Sequence, residues 1–213
     1  MAKPSTVRMS GAAVGLTYSL MCIAMATTWH LDIPTGLWLA NAVAALLGIT
    51  SGLWALRPQL SQLFRGWRRD FLPGIYVAIA LVALSQLGAR LLLLQLPFAR
   101  EELLRLYTLL HSPPGPTQAS PILLFVVIAE ELVFRGVLTT FLEQRLKPTL
   151  VTLVGTSLYT LPLFASGSWL LPIVGFTLGA AWTIARQRSN GLTIPLLSHA
   201  VFSLTTFVWL PVC

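Results

Sequence analysis

The sequence predicts an all-α protein, a polytopic transmembrane bundle of about seven helical spans with a polar cavity among spans four to seven. Three observations lead there. Hydrophobic residues make up 55% of the 213 and charged residues only 10%, whereas a soluble domain carries about 25% charged residues. The mean hydropathy is +0.77, and the apolar residues fall in long unbroken runs rather than the short alternating segments of a membrane barrel. Lys and Arg, which produce the net charge of +7, flank those runs. That placement reads as membrane orientation and not as nucleic-acid binding.

The first span is expected at 11–29, with a short turn at His30–Pro34, and the second at 35–56. The first apolar segment lacks a small-residue cleavage site and is read as a retained span. A basic loop with Arg57, Arg65, Arg68 and Arg69 leads to a third span at 71–96, where Arg90 near the end could snorkel. Residues 98–119 are the one substantial polar stretch. Within it, 99–110 reads as an interfacial amphipathic helix, ended by His-Ser-Pro-Pro-Gly-Pro. The fourth span is expected at 121–142, and short links at 143–148, 165–168 and 186–190 separate the last three. Pro162, Pro172 and Pro195 are expected to kink these or free backbone groups.

With the N-terminus in the cytoplasm, Lys3, Arg8, Arg57, Arg65, Arg68, Arg69, Arg145, Lys147, Arg186 and Arg188 fall inside. Only Arg100 and Arg105 fall outside. Ten against two supports both the count and the orientation. Cys22 and Cys213 form neither a disulfide framework nor a prenylation box. Nothing marks a repeat or a linker. The chain divides functionally into 1–119, with the first helices, the basic loop and the interfacial helix, and 120–213, which holds the chemistry.

That chemistry centres on Glu130, Glu131 and Arg135, inside Pro-Ile-Leu-Leu-Phe-Val-Val-Ile-Ala-Glu-Glu-Leu-Val-Phe-Arg-Gly. Ionisable groups within a span are expensive and generally face a cavity or one another. On an α-helix Glu131 and Arg135 share a face, while Glu130 lies about 100° away. Arg135 therefore neutralises and orients Glu131, leaving Glu130 less well paired. A purely structural cluster would have the same pattern. In the last span His199 and Ser203 stand one turn apart, in the half where they could meet the glutamates. A lone membrane histidine otherwise bonds between helices. Gly175 and Gly179 give a small-x-x-x-small spacing whose close packing needs no catalytic role.

Glu130-Glu131-x-x-x-Arg135, then Phe176-x-x-Gly179, then Gly-Leu-Thr-Ile-Pro-Leu-Leu-Ser-His199-Ala, resembles in order and spacing the CPBP family, over roughly residues 120–205. These are intramembrane endopeptidases that include the type II CAAX prenyl proteases and bacteriocin-processing enzymes. The resemblance implies that Glu130 activates a water, with Glu131 and Arg135 as neighbours and His199 and Ser203 as the oxyanion-stabilising pair. The chain departs from the pattern twice. Ser203 stands where active members carry Asn, which keeps a donor on a shorter side chain. If Tyr159 takes the Phe place of the family's Phe-x-x-x-His motif, Leu163 takes the His place and can neither bind metal nor share a proton.

The implied function is peptide-bond hydrolysis in a membrane-presented, hydrophobic or prenylated substrate. The competing expectation is a degenerate relative that binds a membrane partner or bacteriocin, and a third is a small transporter subunit using the carboxylates for cations. Partners are the bilayer and such a peptide or membrane protein, with no nucleic acid. No cofactor is firmly implied. Zinc wants three protein ligands plus water, and the core offers at most Glu130, Glu131 and His199, an incomplete set. Size and the missing signal fit a bacterial plasma membrane or an organellar inner membrane.

Overall fold

A computed structural model describes residues 9–28, 36–111, 113 and 115–211. His30 and Cys213 lie outside the described residues. The helices run α1 Gly11–Thr28, α2 Gly36–Leu56, the single turn α3 Leu60–Leu63, α4 Trp67–Gln95 and α5 Pro97–Leu110. Then come α6 Pro116–Glu130, a π-helical stretch Glu131–Leu138 and α7 Thr139–Glu143, which form one continuous rod. Helix α8 Pro148–Thr160 tightens into a 3₁₀ segment Leu161–Ser166, and α9 Leu170–Ser189 and α10 Thr193–Leu204 follow, the last ending in a π turn Thr205–Trp209. No strand occurs among the described residues, and the molecule is all-α as the composition requires.

Three helices are long and apolar enough to cross a membrane by length and composition, at Leu37–Leu56, Trp67–Leu91 and Pro148–Ser166. Gly11–Thr27 and Thr193–Trp209 are apolar but shorter. The rod from α6 to α7 falls outside that set because its middle carries Glu130, Glu131 and Arg135 and changes its winding there. Large apolar side chains point outward along α4, where Tyr76 is 69% and Leu84 64% exposed. A soluble bundle would not leave such a face to water.

Several boundaries differ from the sequence expectation. Helix α4 begins at Trp67, because Asp70 in its first turn suits a helix N-terminus, and the basic loop shrinks to a turn, α3 and a second turn. Helix α6 begins at Pro116, five residues early, since proline is well placed in a first turn. The link at 165–168 narrows, as the 3₁₀ segment runs to Ser166 and Gly167 closes it at φ 68°. Of the three prolines expected to kink helices, Pro162 sits at the switch from α to 3₁₀. Pro172 and Pro195 instead occupy first turns, where the missing N–H leaves no bond unmade.

One buried core crosses residue 120, drawing Met21, Ala45 and Leu56 together with Ala129, Val133 and Tyr159. Helix α2 approaches α6 through glycine. A Cβ on Gly48 would lie 2.8 Å from Ala129 Cβ and 2.9 Å from Met21 Sδ, and one on Gly52 would lie 3.0 Å from Leu132 Cβ. Helices α4 and α10 run side by side in the same direction. Leu192 N donates to Leu63 O at 2.8 Å near their starts, and Gln86 Nε2 donates to Leu210 O at 2.8 Å near their ends. Between α7 and α9, buried Arg186 reaches Glu143 at 3.7 Å and donates to Thr140 Oγ1 at 3.4 Å. Burial pushes the Glu143 carboxyl up and the Arg186 guanidinium down, and each charge partly offsets the other's shift.

Because Ala129 Cβ is fixed to the backbone beside Glu130, Gly48→Val has to separate α2 from α6. Overpacking of this kind destabilises by about 1–3 kcal/mol. The expected result is a clear fall in the thermal unfolding midpoint in detergent, with Gly15→Val, which has open space at its Cβ position, unchanged.

Candidate active site

Helix α6 delivers Glu130 as its last α-helical residue, and the π stretch begins at Glu131. The hydroxyl of Thr139 donates to the carbonyl of Phe134, five residues back, at 2.9 Å. Such i→i+5 turns are rare in helices and frequent at functional sites. Residues 129–140 are all buried, so a polar group left without a partner here is costly.

Glu131 and Arg135 pair as the sequence predicts. Arg135 NH1 lies 3.1 Å from Glu131 Oε1, with both side chains at most 1% exposed. Arg135 NH2 donates to the carbonyl of Gly179 on α9 at 3.3 Å. Its guanidinium lies 4.2 Å from the Tyr159 ring centroid and 5.4 Å from that of Trp182, a cation–π arrangement. The expected packing role of Gly179 is confirmed and extended. A Cβ there would meet Tyr159 Cδ1 at 2.8 Å and Arg135 NH2 at 3.2 Å, so only glycine lets the arginine reach the α9 backbone.

Helix α10 brings His199 to the same place. Nδ1 lies 2.8 Å from Glu131 Oε1. A carboxylate only accepts, so Nδ1 carries the proton in this contact. The other ring nitrogen, Nε2, lies 3.9 Å from Glu130 Oε2, longer than a hydrogen bond. The imidazole is thus bracketed by the two carboxylates, one on each nitrogen. Trp182 stacks on it at 3.7 Å and 20°. Ser203 is buried one turn further on, and no hydrogen bond joins it to the glutamates or His199 among the described residues.

Two participants escaped the sequence reading. Tyr159, assigned only to a Phe place, donates its hydroxyl to Glu130 Oε2 at 2.9 Å. Trp182 holds the His199 ring, and its signal was its spacing, one turn beyond Gly179 on the same helix face. Leu163, in the expected histidine place, is buried in the 3₁₀ segment with its Cδ1 filling the space over Gly175. His111 directly follows α5, its ring 6.0 Å from that of Tyr107.

The donor set does not fit zinc. Glu131 Oε1 is shared by Arg135 and His199, and Glu130 Oε2 is taken by Tyr159. Among the described residues no three His, Cys, Asp or Glu side chains converge to hold a metal ion. Glu131 Oε2, Arg135 Nε and Trp182 Nε1 are buried with no protein hydrogen-bond partner, which leaves polar valences around the cluster for a reacting molecule to meet.

Fold and site together define a helical membrane protein with two carboxylates, a guanidinium and an imidazole clustered in its interior. The profile described as Type II CAAX prenyl endopeptidase Rce1-like matches residues 72–205. The chain belongs to this family, within the CPBP group that its motifs resemble. No curated protein and no solved structure matches it.

Removing one member of a buried ion pair strands the other, at about 3–5 kcal/mol. Arg135→Ala is therefore expected to unfold at a much lower temperature than wild type. The double variant Arg135→Met, Glu131→Gln, which strands no charge, should recover most of the loss in the same melt. Equal losses in the two variants would show that the pair is not coupled.

Proposed function

We propose that the protein is a glutamate-dependent intramembrane endopeptidase that hydrolyses a peptide bond in a hydrophobic or prenylated substrate presented by the bilayer. The observation that carries this is the bracketed imidazole: Glu131 on Nδ1 at 2.8 Å and Glu130 facing Nε2 at 3.9 Å, with Tyr159 holding Glu130 at 2.9 Å. An oxygen placed between Nε2 and Glu130 would lie within hydrogen-bond reach of both.

In this reading Glu130 removes a proton from a water whose oxygen attacks the peptide carbonyl carbon. The proton then passes to the leaving amine as the carbon–nitrogen bond breaks. His199 presents Nε2–H to the developing oxyanion, while Glu131 on Nδ1 steadies the imidazolium, the part a buried carboxylate plays behind other catalytic histidines. Arg135 keeps Glu131 aimed, and Ser203 is the second donor. Tyr159 is a positioning residue that fixes the Glu130 carboxylate.

The same proposal places about seven spans in the membrane, the N-terminus in the cytoplasm, and a polar cavity among the last four spans. The parallel course of α4 and α10 supports this, because both would leave the cytoplasmic side. So does the Glu143–Arg186 contact, which joins two links that the charge distribution puts on that side.

The test is cleavage of a library of hydrophobic and prenylated peptides by the detergent-purified protein, read by mass spectrometry. Wild type should cleave and Glu130→Gln should not. Tyr159→Phe should lower kcat on the order of 10²-fold, the effect of a small misplacement of a reacting group, with a fall in unfolding stability of about 1–3 kcal/mol for the stranded Glu130 oxygen. Silence in wild type with cleavage appearing only in Leu163→His would overturn the proposal in favour of a binding protein that has lost its chemistry.

A further inference from the structure

Trp182 of α9 is 2% exposed, yet its indole Nε1 is buried with no hydrogen-bond partner among the described residues. An indole N–H only donates, and a buried tryptophan ordinarily finds an acceptor for it. Leaving a buried donor unmet costs about 1–3 kcal/mol. The carbonyl of Gly179, one turn back on the same helix, is already taken. Thr183 Oγ1 donates to it at 2.8 Å and Arg135 NH2 at 3.3 Å.

The surroundings of this donor are those of the buried cluster. Trp182 stacks on the His199 imidazole, with centroids 3.7 Å apart and planes 20° apart. Phe202 meets it edge-on at 5.9 Å, and the Arg135 guanidinium lies 5.4 Å from its ring centroid. An N–H lies in the plane of its ring, so this one cannot point at the imidazole face that the indole covers. It leaves the stack sideways. Its layer is nearly parallel to the one in which His199 offers Nδ1 to Glu131 and turns Nε2 toward Glu130. Glu131 Oε2 and Arg135 Nε are enclosed and unpartnered in the same way, so the enclosure belongs to the resting cluster as a whole.

We infer that Trp182 is a further catalytic residue, whose Nε1–H donates a hydrogen bond to the substrate's carbonyl oxygen as that oxygen becomes an oxyanion. The inference rests on the endopeptidase reading proposed above, and substrate entry opens the enclosed cluster. Ser203, in the place of a longer asparagine, forms no hydrogen bond to His199 or the glutamates among the described residues. The indole makes good that shortfall. It lends no proton: its hydrogen bond strengthens as charge grows on the oxygen and relaxes when the carbonyl reforms. The proton of the attacking water still passes through Glu130 to the leaving amine. A donor with no partner in the resting protein suits this task, because it gives up no internal bond when the oxyanion forms.

Benzothienylalanine in place of Trp182 keeps the two fused rings and replaces the N–H with sulfur. It removes the donor and leaves the stack on His199. In the peptide-cleavage assay of the full-length protein, this isostere is expected to lower kcat on the order of 10²–10³-fold, the effect of losing one oxyanion donor. KM should be nearly unchanged. A Trp182 that serves only as packing would give an isostere close to wild type and an impaired Trp182→Phe. That result overturns the inference, while the endopeptidase reading stands as long as wild type cleaves and Glu130→Gln does not.

A second readout needs no turnover. In the ¹⁵N-indole NMR spectrum, the signal missing from Trp182→Phe belongs to Trp182. Adding a hydrophobic peptide aldehyde, whose hydrate carries tetrahedral oxygens, should move that signal downfield, as an N–H moves on gaining an acceptor. A peptide aldehyde that shifts the His199 ring signals and leaves the Trp182 indole in place overturns the inference alone. A shift without cleavage of any peptide overturns the catalytic role and reduces the indole to a ligand contact. Neither cleavage nor any shift removes the endopeptidase reading and this inference with it. If Trp182→Phe does not fold, the isostere assigns the indole signal as well, since it too lacks the N–H.

Discussion

The contact on which the interior depends is the one between Arg135 and Glu131, two ions at most 1% exposed and 3.1 Å apart. Desolvating such a pair costs several kcal/mol per ion before any attraction is recovered. Coulomb attraction alone does not offset that, and specific neighbours meet part of the remaining valences. The guanidinium is met by the Gly179 carbonyl and two aromatic faces, and the carboxylate by His199. Each requirement places a constraint on a different helix. Helix α9 must have glycine at 179, α8 an aromatic at 159, and α10 a ring nitrogen at 199. Four helices are thus held in register by one buried charge pair.

The change of winding after Glu130 belongs to the same set of constraints. Two adjacent carboxylates on an ordinary α-helix point about 100° apart, and both must be received by groups that lie close together. Glu130 ends the α-helical part and Glu131 opens the π part. The wider turn exposes backbone groups that would otherwise be bonded i→i+4, and Thr139 takes up one of them, the Phe134 carbonyl. Glycine at 136 lets Leu56 of α2 pack against this wider segment, since a Cβ there would lie 2.6 Å from Leu56 Cδ1. A winding defect costs hydrogen-bond geometry, and here it coincides with the buried charged cluster; such defects are frequent at functional sites.

Much of this could be read from the chain and some could not, for physical reasons. Hydropathy and the i, i+4 spacing gave the helices, the Glu131–Arg135 pair and the meeting with His199, because those depend on local periodicity and on the price of burying charge. The Tyr159 hydroxyl did not emerge, since a phenol in an apolar helix looks like any packing aromatic until its partner is placed. Trp182 gave only a spacing signal, one turn beyond Gly179. The winding change was also hidden, as no residue type signals a π turn in the way proline signals a break. Prolines misled in the other direction. Pro172 and Pro195, read as kinking or freeing backbone in or at the edges of spans, stand two residues into helices that begin just before them, and a boundary shift of that size changes the meaning of a proline.

The absence of a histidine at 163 carries a different weight once Tyr159 is in place. A histidine one turn beyond the aromatic would offer a nitrogen that can either give or take a proton near neutral pH. The phenol that does reach Glu130 gives a hydrogen bond and keeps its proton. Substituting one for the other changes what the fifth group does, from sharing a proton to fixing the orientation of a carboxylate. In the mechanism proposed above, a fixed carboxylate facing an imidazole that another carboxylate steadies serves as the base, the proton passing to Glu130 and then to the leaving amine. The positions that depart from the family pattern are 163 and 203. The groups retained, at 130, 131, 135 and 199, form the buried charged cluster itself. A chain that had drifted free of its chemistry would have little reason to keep two carboxylates buried at several kcal/mol while discarding only their helpers, and the retained Tyr159 contact is with the one carboxylate that Arg135 does not hold.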